Sequence, residues 1–408
     1  MSLTSLSAPL ALSSLGILVL AQMRKTPNMP TTKVGMRQLA MYLLLLVLSL
    51  RMAIDVATGW SFESIATLAT LGIFGLTAYK VAPILISYGP KAILSSVNVM
   101  FTLSLGLLLF SFYARPEFQN YAKFPASVFP FAEPSHFAVF TAPLFLISSC
   151  ASSYARSFAI AITLLIASLA LPNLTLGLVG LTILVMTAFR GSRRYILIAA
   201  LVSSSLLMVL FFDSIIGLLP EYHQARAKLS SGNITSLVYL QGLERAYDAN
   251  ISTFGYGAGF MQMGQLPPGQ YGYEIFRITG VFKNLGDGAF VFSKLVAELG
   301  FLGILLSATF VALAGSAMLE IVRGIPRFAR TNWSRDNAVE DRAFFFKFFA
   351  QVLIFSYSFE FFVRGVGYIS SGLLLLLVGL FVKHLAQGYS FSPGAAVCKK
   401  PQRLSQSR

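Results

Sequence analysis

The chain is dominated by uninterrupted apolar stretches of about 18 to 25 residues, each long enough to cross roughly 30 Å of hydrocarbon as a helix. Backbone amides and carbonyls inside lipid must be hydrogen-bonded within their own segment, so each stretch is predicted to be helical. Hydrophobic residues make up 56% of the 408 residues and charged residues only 12%, which is unlike a soluble domain of this length. The sequence therefore predicts an all-α polytopic membrane protein.

About eleven transmembrane helices are expected from these stretches. We divide the interval 157–189 into two helices, because Pro172-Asn173 interrupts a helix and favours a tight turn. The block 290–320 is longer than one span requires and allows an interfacial extension. The predicted spans are 3–21, 38–57, 64–80, 92–113, 136–155, 157–171, 173–189, 195–219, 290–320, 343–362 and 366–385. Residues 1–388 are predicted to form a single transmembrane domain, and residues 389–408 a basic tail.

The distribution of positive charge predicts the orientation of these spans. About two thirds of the lysines and arginines fall in alternate connecting strips, beginning with residues 24–37, and cytoplasmic strips are the ones that carry such an excess. This places the N-terminus outside and the C-terminus in the cytoplasm of a multi-pass membrane protein. The formal net charge of +15 then reflects topology rather than nucleic-acid binding, and no nucleic-acid partner is expected.

Cysteine and metal-ligand patterns restrict the chemistry. Cys150 and Cys398 cannot form a disulfide framework, and no CxxC or His/Cys cluster indicates zinc. No Asp-rich motif appears in either outer loop, so a metal-independent reaction with no cofactor is expected.

Two connections on the predicted outer face are long. Residues 114–135 are rich in aromatic residues and proline, and residues 220–289 retain Ile, Phe, Val and Tyr throughout. Long connections in compact proteins are usually functional or disordered, and the apolar content of the second loop favours order.

The first candidate for chemistry is the segment Glu133-Pro134-Ser135-His136, where the first outer loop enters a helix. Proline is favoured at a helix start, which puts Glu133 beside the positive end of the helix and His136 about one turn later. One interpretation is a helix cap with an interfacial histidine. The other is a general base, Glu133, with His136 orienting it or sharing that role.

The second candidate is a set of cations on the same predicted face, suited to a diphosphate because guanidinium offers paired donors to phosphate oxygens. The alternative is that each cation pairs with a local carboxylate, as the i,i+4 spacing of Glu360 and Arg364 or the neighbours of Arg245 would allow. The set is Arg226, Arg245, Arg277, Lys283 and Arg364.

The third candidate is the glycine-rich run from Gly255 to Gly264 in the large loop. It follows no βα pattern and lies on the outer face, so a dinucleotide site is rejected. Glycine allows close backbone approach, and the run is interpreted either as a tight turn beside a substrate, through Gly257 and Gly259, or as a plain loop.

Across roughly residues 115–375 these features resemble the Wzy-type O-antigen and exopolysaccharide polymerases, in the superfamily that includes the O-antigen ligases. The resemblance rests on EPSHFA at 133–138, the basic Gly-Ser-Arg segment at 191–193, and Arg245 followed by the Gly255 to Gly259 run. It also rests on the segment 294–303 after the loop and on Arg364-Gly-Val-Gly-Tyr368. Ligase-like members carry a histidine after the large loop, and residues 286–292 contain none, which favours a polymerase.

The resemblance implies a GT-C-like glycosyltransferase acting on undecaprenyl-diphosphate-linked oligosaccharide at the periplasmic face of the bilayer. It implies transfer of a growing glycan to the non-reducing end of another carrier-linked repeat unit, with a chain-length-regulating membrane protein as a candidate partner. The residues carried over as catalytic are Glu133, His136 and Arg245. Those carried over as substrate-binding are Arg226, Arg277, Lys283, Arg364, Tyr368, Gly257 and Gly259.

Three other functions remain open from the sequence. An O-antigen ligase would transfer the glycan to a lipid core instead. A lipid-linked glycan flippase or transporter would line a cavity with ionisable residues, and Arg51, Asp55 and Lys347 are among the charges within the predicted spans. A structural scaffold would give no account of the large loop.

Overall fold

The computed structural model describes residues 62–113, 128–131, 133–171, 173–190, 234–331, 339–365 and 367–389, together with Ile17, Leu50, Arg51 and Trp333. These residues form α-helices and one 3-10 helix, and no β-strand occurs among them, which confirms the all-α prediction for this part of the chain. The helices are α1 (Phe62–Tyr88), α2 (Pro90–Tyr113), α3 (Pro134–Ala151), α4 (Tyr154–Ala170), α5 (Leu174–Ala188), α6 (Ile234–Ser252), the 3-10 helix (Met263–Gln265), α7 (Gly269–Thr279), α8 (Val291–Leu299), α9 (Phe301–Arg330), α10 (Val339–Phe362) and α11 (Ser371–Tyr389).

Five of these helices are long and apolar enough to cross a membrane: α1, α2, α3, α9 and α10. Three more, α4, α5 and α11, are apolar but shorter. The prediction of a helical membrane protein is therefore confirmed. The number of spans stays a prediction, because the predicted spans 3–21, 38–57 and 195–219 lie almost wholly outside the described residues.

The predicted break near residue 172 is present. Helix α4 ends at Ala170, and the side chain of Asn173 accepts a hydrogen bond from the amide of Leu176 at 3.2 Å, which caps the start of α5. An asparagine at this position satisfies an amide that has no partner within the helix.

The predicted block 290–320, for which the sequence allowed an extension beyond the span, divides at Gly300 into α8 and α9. Gly300 adopts φ +57° and ψ −129°, a conformation open only to glycine, so the helix cannot continue through it. Helix α8 therefore belongs with the large loop, and only α9 has the length and composition of a span.

The described part of the predicted large loop is ordered. Residues 234–289 form α6, the 3-10 helix and α7, joined by short turns. Helix α6 packs on both α7 and α8, so the loop is one folded unit resting against the end of the helix bundle. Residues 220–233 lie outside the described residues.

Helix α10 is the centre of the bundle and packs against α9, α11 and α3. Its apolar side chains are buried over its whole length, from Phe345 and Phe346 at one end to Tyr357 and Phe361 at the other. Each of the helices α9, α10 and α11 packs antiparallel to the next. The N-terminal ends of α9 and α11 therefore lie beside the C-terminal end of α10. We call this the loop end of the bundle, since α8 leads directly into it.

Substitution of Gly300 by alanine tests this break. A methyl group at Gly300 would meet the carbonyl oxygen of Gly255 and require a left-handed backbone, so we expect a loss of at least about 2 kcal/mol of stability. The measurement is the unfolding temperature of purified protein in detergent. The matched control is Gly315→Ala in α9, where an added methyl meets nothing within 4 Å, and an equal effect of both substitutions would contradict the expectation.

Candidate functional site

The N-terminus of α3 carries the first group of the site. Glu133 precedes Pro134, which starts the helix, but its side chain makes no capping hydrogen bond to the helix amides. Instead the carboxylate accepts a hydrogen bond from Arg364 Nη2 at 2.7 Å, across 231 residues of sequence. By backbone position Glu133 is the N-cap residue of α3, but its side chain belongs to an ion pair with Arg364 rather than to the cap.

His136 and Ser135 complete the group around this ion pair. Ser135 Oγ donates to Glu133 Oε2 at 3.1 Å, and His136 Nε2 lies 4.0 Å from the same oxygen. The side chains of Glu133 and Arg364 are each 24% exposed and that of His136 20%. The structure thus brings together three of the predicted site residues in a position that is sheltered yet open to a solute.

The electrostatics of the pair keep Glu133 ionised. Burial of the Glu133 carboxyl raises its pKa, but the charges of Arg364 and His136 and the hydrogen bonds from Ser135 and Arg364 together outweigh it and lower the pKa. The carboxylate is therefore negatively charged at neutral pH.

Arg364 is positioned by the turn that follows α10. The amides of Val363 and Arg364 both donate to the carbonyl of Phe359 at 3.0 Å, and the amide of Gly365 donates to Ala289 at 3.1 Å. A methyl group at Gly365 would lie 2.8 Å from the amide nitrogen of Val291. The absence of a side chain here lets the Arg364 turn press directly against the start of α8.

The predicted alternative, an i,i+4 pair of Glu360 with Arg364, is wrong. Glu360 is fully buried and its carboxylate lies against the backbone of Gly372, at the start of α11. Arg364 is consequently left to Glu133.

Both members of the ion pair keep unused bonding capacity. Arg364 Nε is buried and has no hydrogen-bond partner in the described part of the chain. Glu133 uses Oε2 for both of its hydrogen bonds, and Oε1 accepts none from the described residues. The partly exposed guanidinium and carboxylate, with Glu133 Oε1 unused among the described contacts, suit a ligand that has both an anionic group and a hydroxyl.

Two residues that the sequence did not single out lie next to this group. Asp287, from the turn before α8, is close enough to interact electrostatically with His136. Burial raises the pKa of Tyr239, on α6, to about 12, against an opposing effect of Arg364, and its ring stacks on Phe290 at 5.1 Å. No sequence pattern marks either residue, because only the packing of α6 and α8 brings Asp287 near His136 and Tyr239 near Arg364.

Arg245, predicted to be catalytic, occupies a different environment. Its side chain is 1% exposed and donates to the carbonyls of Met263, Leu266, Pro267 and Leu285. Burial lowers the pKa of its guanidinium to about 10, with Glu244 opposing, so the group is charged at neutral pH. These contacts make Arg245 a positioning residue that joins three turns of the loop, and they leave it no access to a substrate.

The sequence allowed Arg245 to pair with a neighbouring carboxylate, but the adjacent Glu244 has other hydrogen-bond partners. The carboxylate of Glu244 accepts from the amides of Gln270 and Tyr271 at 2.7 and 3.1 Å. Glu244 thereby caps the start of α7, and the adjacent residues of α6 fix opposite sides of the same loop.

The glycine-rich run is a tight turn docked on α8, and its close approach is to backbone. The amide of Gly259 donates to the carbonyl of Glu298 at 3.0 Å, and a methyl group at Gly257 would lie 2.5 Å from that same carbonyl oxygen. The positive φ angles of +78° and +104° at Gly257 and Gly259 favour glycine. Neither glycine contacts the Glu133–Arg364 ion pair among the described residues. Their role in binding substrate stays a prediction.

Tyr368, predicted to bind substrate, is 8% exposed and packs against the loop. Its ring stacks on Phe260 at 5.3 Å, and Lys294 Nζ lies 5.2 Å from its centroid. Lys294 also contacts Glu298 at 3.8 Å and donates to the carbonyl of Gly286 at 2.7 Å. This buried ion pair joins α8 to the turn that carries Asp287.

Two of the remaining predicted cations, Arg277 and Lys283, are exposed and make no ion pair with Glu133 among the described residues. Arg277 is 77% exposed and lies 3.5 Å from Glu274 on the same helix, and Lys283 is also exposed. Arg226 lies outside the described residues. Among the described residues no group of three or more His, Cys, Asp or Glu side chains is arranged to hold a metal ion.

No protein-family model, curated protein or solved structure matches this chain. The resemblance to Wzy-type polymerases therefore stays a prediction. We call the group formed by Glu133, Ser135, His136, Asp287 and Arg364 the Glu133–Arg364 centre.

Substitution of Arg245 tests its positioning role. Arg245→Lys keeps the charge but cannot reach four carbonyls, and we expect a loss of about 3 kcal/mol of stability, since each unpaired buried acceptor costs about 1 to 3 kcal/mol. The unfolding temperature in detergent measures it, and Arg277→Lys, on the exposed face of α7, is the control. Equal unfolding temperatures of the two variants would contradict the carbonyl contacts.

The ion pair should contribute to stability in a pH-dependent way. Because the folded pKa of Glu133 is lowered, its contribution is present above the ordinary carboxyl pKa and is lost as the pH falls through the folded pKa. We expect Glu133→Gln to lower the unfolding temperature at neutral pH and to approach wild type as the pH falls through the lowered pKa of Glu133. A difference that grows on acidification would reverse the sign and refute the lowered pKa.

Proposed function

We propose that the protein is a membrane-embedded glycosyltransferase of the polysaccharide-polymerase type. It transfers a growing glycan from a polyprenyl-diphosphate carrier to a hydroxyl of another carrier-linked repeat unit. The observation that carries the proposal is the Glu133–Arg364 ion pair at the loop end of the bundle, with one donor and one acceptor unused.

The location of the centre suits a lipid-linked substrate. It lies where the N-terminus of α3 and the C-terminus of α10 meet, and both helices have the length and composition of membrane spans. A carrier lipid can stay in the bilayer while its diphosphate reaches the ends of these helices. A partly exposed centre at such a boundary admits both a lipid diphosphate and a water-soluble glycan.

The reaction needs one group for the leaving diphosphate and one for the attacking hydroxyl. The bond from the anomeric carbon to the phosphate oxygen breaks, and the guanidinium of Arg364 stabilises the charge that develops on the diphosphate. The acceptor oxygen forms a bond to the same carbon and gives its proton to the carboxylate of Glu133. His136, 4.0 Å from that carboxylate, orients it or shares the proton.

Residues around the centre support these roles by position. Asp287 adds a second carboxylate on the side of His136, and the Gly365 turn fixes Arg364 against α8. Arg245, Gly257 and Gly259 act at a distance, because they fold the loop from which α8 begins.

The decisive assay uses purified protein in nanodiscs with undecaprenyl-diphosphate-linked repeat units from its own host as the sole substrate. We expect a ladder of products from wild-type protein. Glu133→Gln and Arg364→Gln should each lower the rate by roughly a hundredfold or more, since such groups typically contribute 10²- to 10³-fold. Lys91→Gln, an exposed residue at the start of α2, is the control and should retain the wild-type ladder.

Each alternative outcome has a clear meaning. If product forms only when a lipid-core acceptor is added, the protein is a ligase rather than a polymerase. A full ladder from Glu133→Gln and Arg364→Gln would remove the centre from the reaction. No product from folded protein with authentic substrate would contradict the proposed transferase.

A further inference from the structure

A second group of charged side chains lies at the end of the bundle opposite the loop end. Glu320 on α9 lies 3.5 Å from Lys347 on α10 and 3.7 Å from Lys383 on α11, and it accepts a hydrogen bond from Gln351 at 2.6 Å. Two lysines therefore share one carboxylate between three membrane helices.

We call the line of contact between α9 and α10 the seam. Beyond Glu320 it continues toward the end of the bundle. Arg327 pairs with Asp341 at 2.9 Å and its guanidinium lies 4.4 Å from the ring centroid of Phe344. Glu320, Arg323 and Arg327 follow one another at helical spacing on α9. Arg323 thus lies between two ion-paired positions of the seam.

Arg323 differs from Glu320 and Arg327 on α9 in having no partner among the described residues. It is exposed and makes no hydrogen bond or ion pair within the described ranges of the chain. Lys347 is 48% exposed, although it contacts Glu320. The seam therefore presents two accessible cations, and the carboxylate beside them is already shared.

Arg323 also ends the exposed apolar face of α9. Leu305, Val311 and Leu319 on that face are 63%, 50% and 57% exposed, as expected for side chains that contact acyl chains. From Phe301 to Arg323 the helix rises roughly 33 Å at 1.5 Å per residue, about the thickness of the hydrocarbon layer. A guanidinium at this position lies at the depth of phospholipid phosphates.

We propose that Arg323 and Lys347 bind the phosphodiester headgroup of an anionic phospholipid, whose acyl chain lies along the exposed face of α9. Basic pockets between membrane helices have this chemistry. An anionic headgroup is favoured over a zwitterionic one, because the cation of choline or ethanolamine would be repelled by both side chains. This site is separate from the Glu133–Arg364 centre and does not depend on the proposed reaction.

The test measures lipid retained by the full-length protein. Protein purified in mild detergent is stripped of lipid and titrated with dioleoyl-phosphatidylglycerol or dioleoyl-phosphatidylcholine, and bound lipid is counted by native mass spectrometry. We expect saturable binding of phosphatidylglycerol at one site. The double variant Arg323→Gln/Lys347→Gln should weaken it about tenfold or more, since each cation near a phosphate contributes about 1 kcal/mol.

Matched variants distinguish a specific lipid site from a general attraction of anionic lipid to positive charge. Lys91→Gln removes an exposed cation at the same end of the bundle, where Arg342 of α10 donates to the carbonyl of Ile86 at 2.5 Å, and it should leave binding unchanged. Arg323→Lys/Lys347→Arg should restore binding, which also shows that the seam still folds.

Three results would overturn the proposal. Equal retention by wild type and the double glutamine variant would show that these cations do not hold the lipid. Equal binding of phosphatidylcholine would remove the charge selectivity. Full displacement by millimolar inorganic phosphate would assign the site to free phosphate rather than to a lipid.

Discussion

The backbone contact between Gly255 and Gly300 determines where the loop meets the membrane helices. The amide of Phe301, the first residue of α9, donates to the carbonyl of Gly255 at 2.8 Å. Side chains at either glycine would collide with the opposite backbone or with the Phe301 ring. Because this contact ends α8 and starts α9, it sets the angle at which the loop rests on the bundle.

A series of short contacts carries that placement to the Glu133–Arg364 centre. Glu298 at the end of α8 accepts from the amides of Met261 and Met263 at 2.9 and 3.3 Å, and Arg245 joins Met263 to Leu285. The start of α8 then receives the Gly365 turn. Each step uses buried backbone groups that would otherwise be unpaired, so the arrangement is rigid and the position of Arg364 is determined by the loop.

The two ends of the bundle have different electrostatic designs. At the loop end an arginine and a glutamate from distant helices form a pair with unused bonding capacity on both sides. At the other end two lysines share one glutamate, and an arginine with no partner among the described residues extends the positive surface to the membrane boundary. The first arrangement suits a ligand with a phosphate and a hydroxyl, and the second suits a phosphate alone.

The sequence determined by itself that the chain is helical and membrane-embedded, because hydrocarbon imposes length and composition on every span. It also singled out Glu133 and His136 as candidates, since a carboxylate and an imidazole at a helix start are visible as a local pattern, and Arg364 as one of a set of cations on the predicted outer face. Only the tertiary structure decided that Arg364 pairs with Glu133 rather than Glu360, and that Arg245 and the glycine run hold the loop. Those outcomes depend on contacts between residues far apart in sequence, and neither helical spacing nor residue type contains that information.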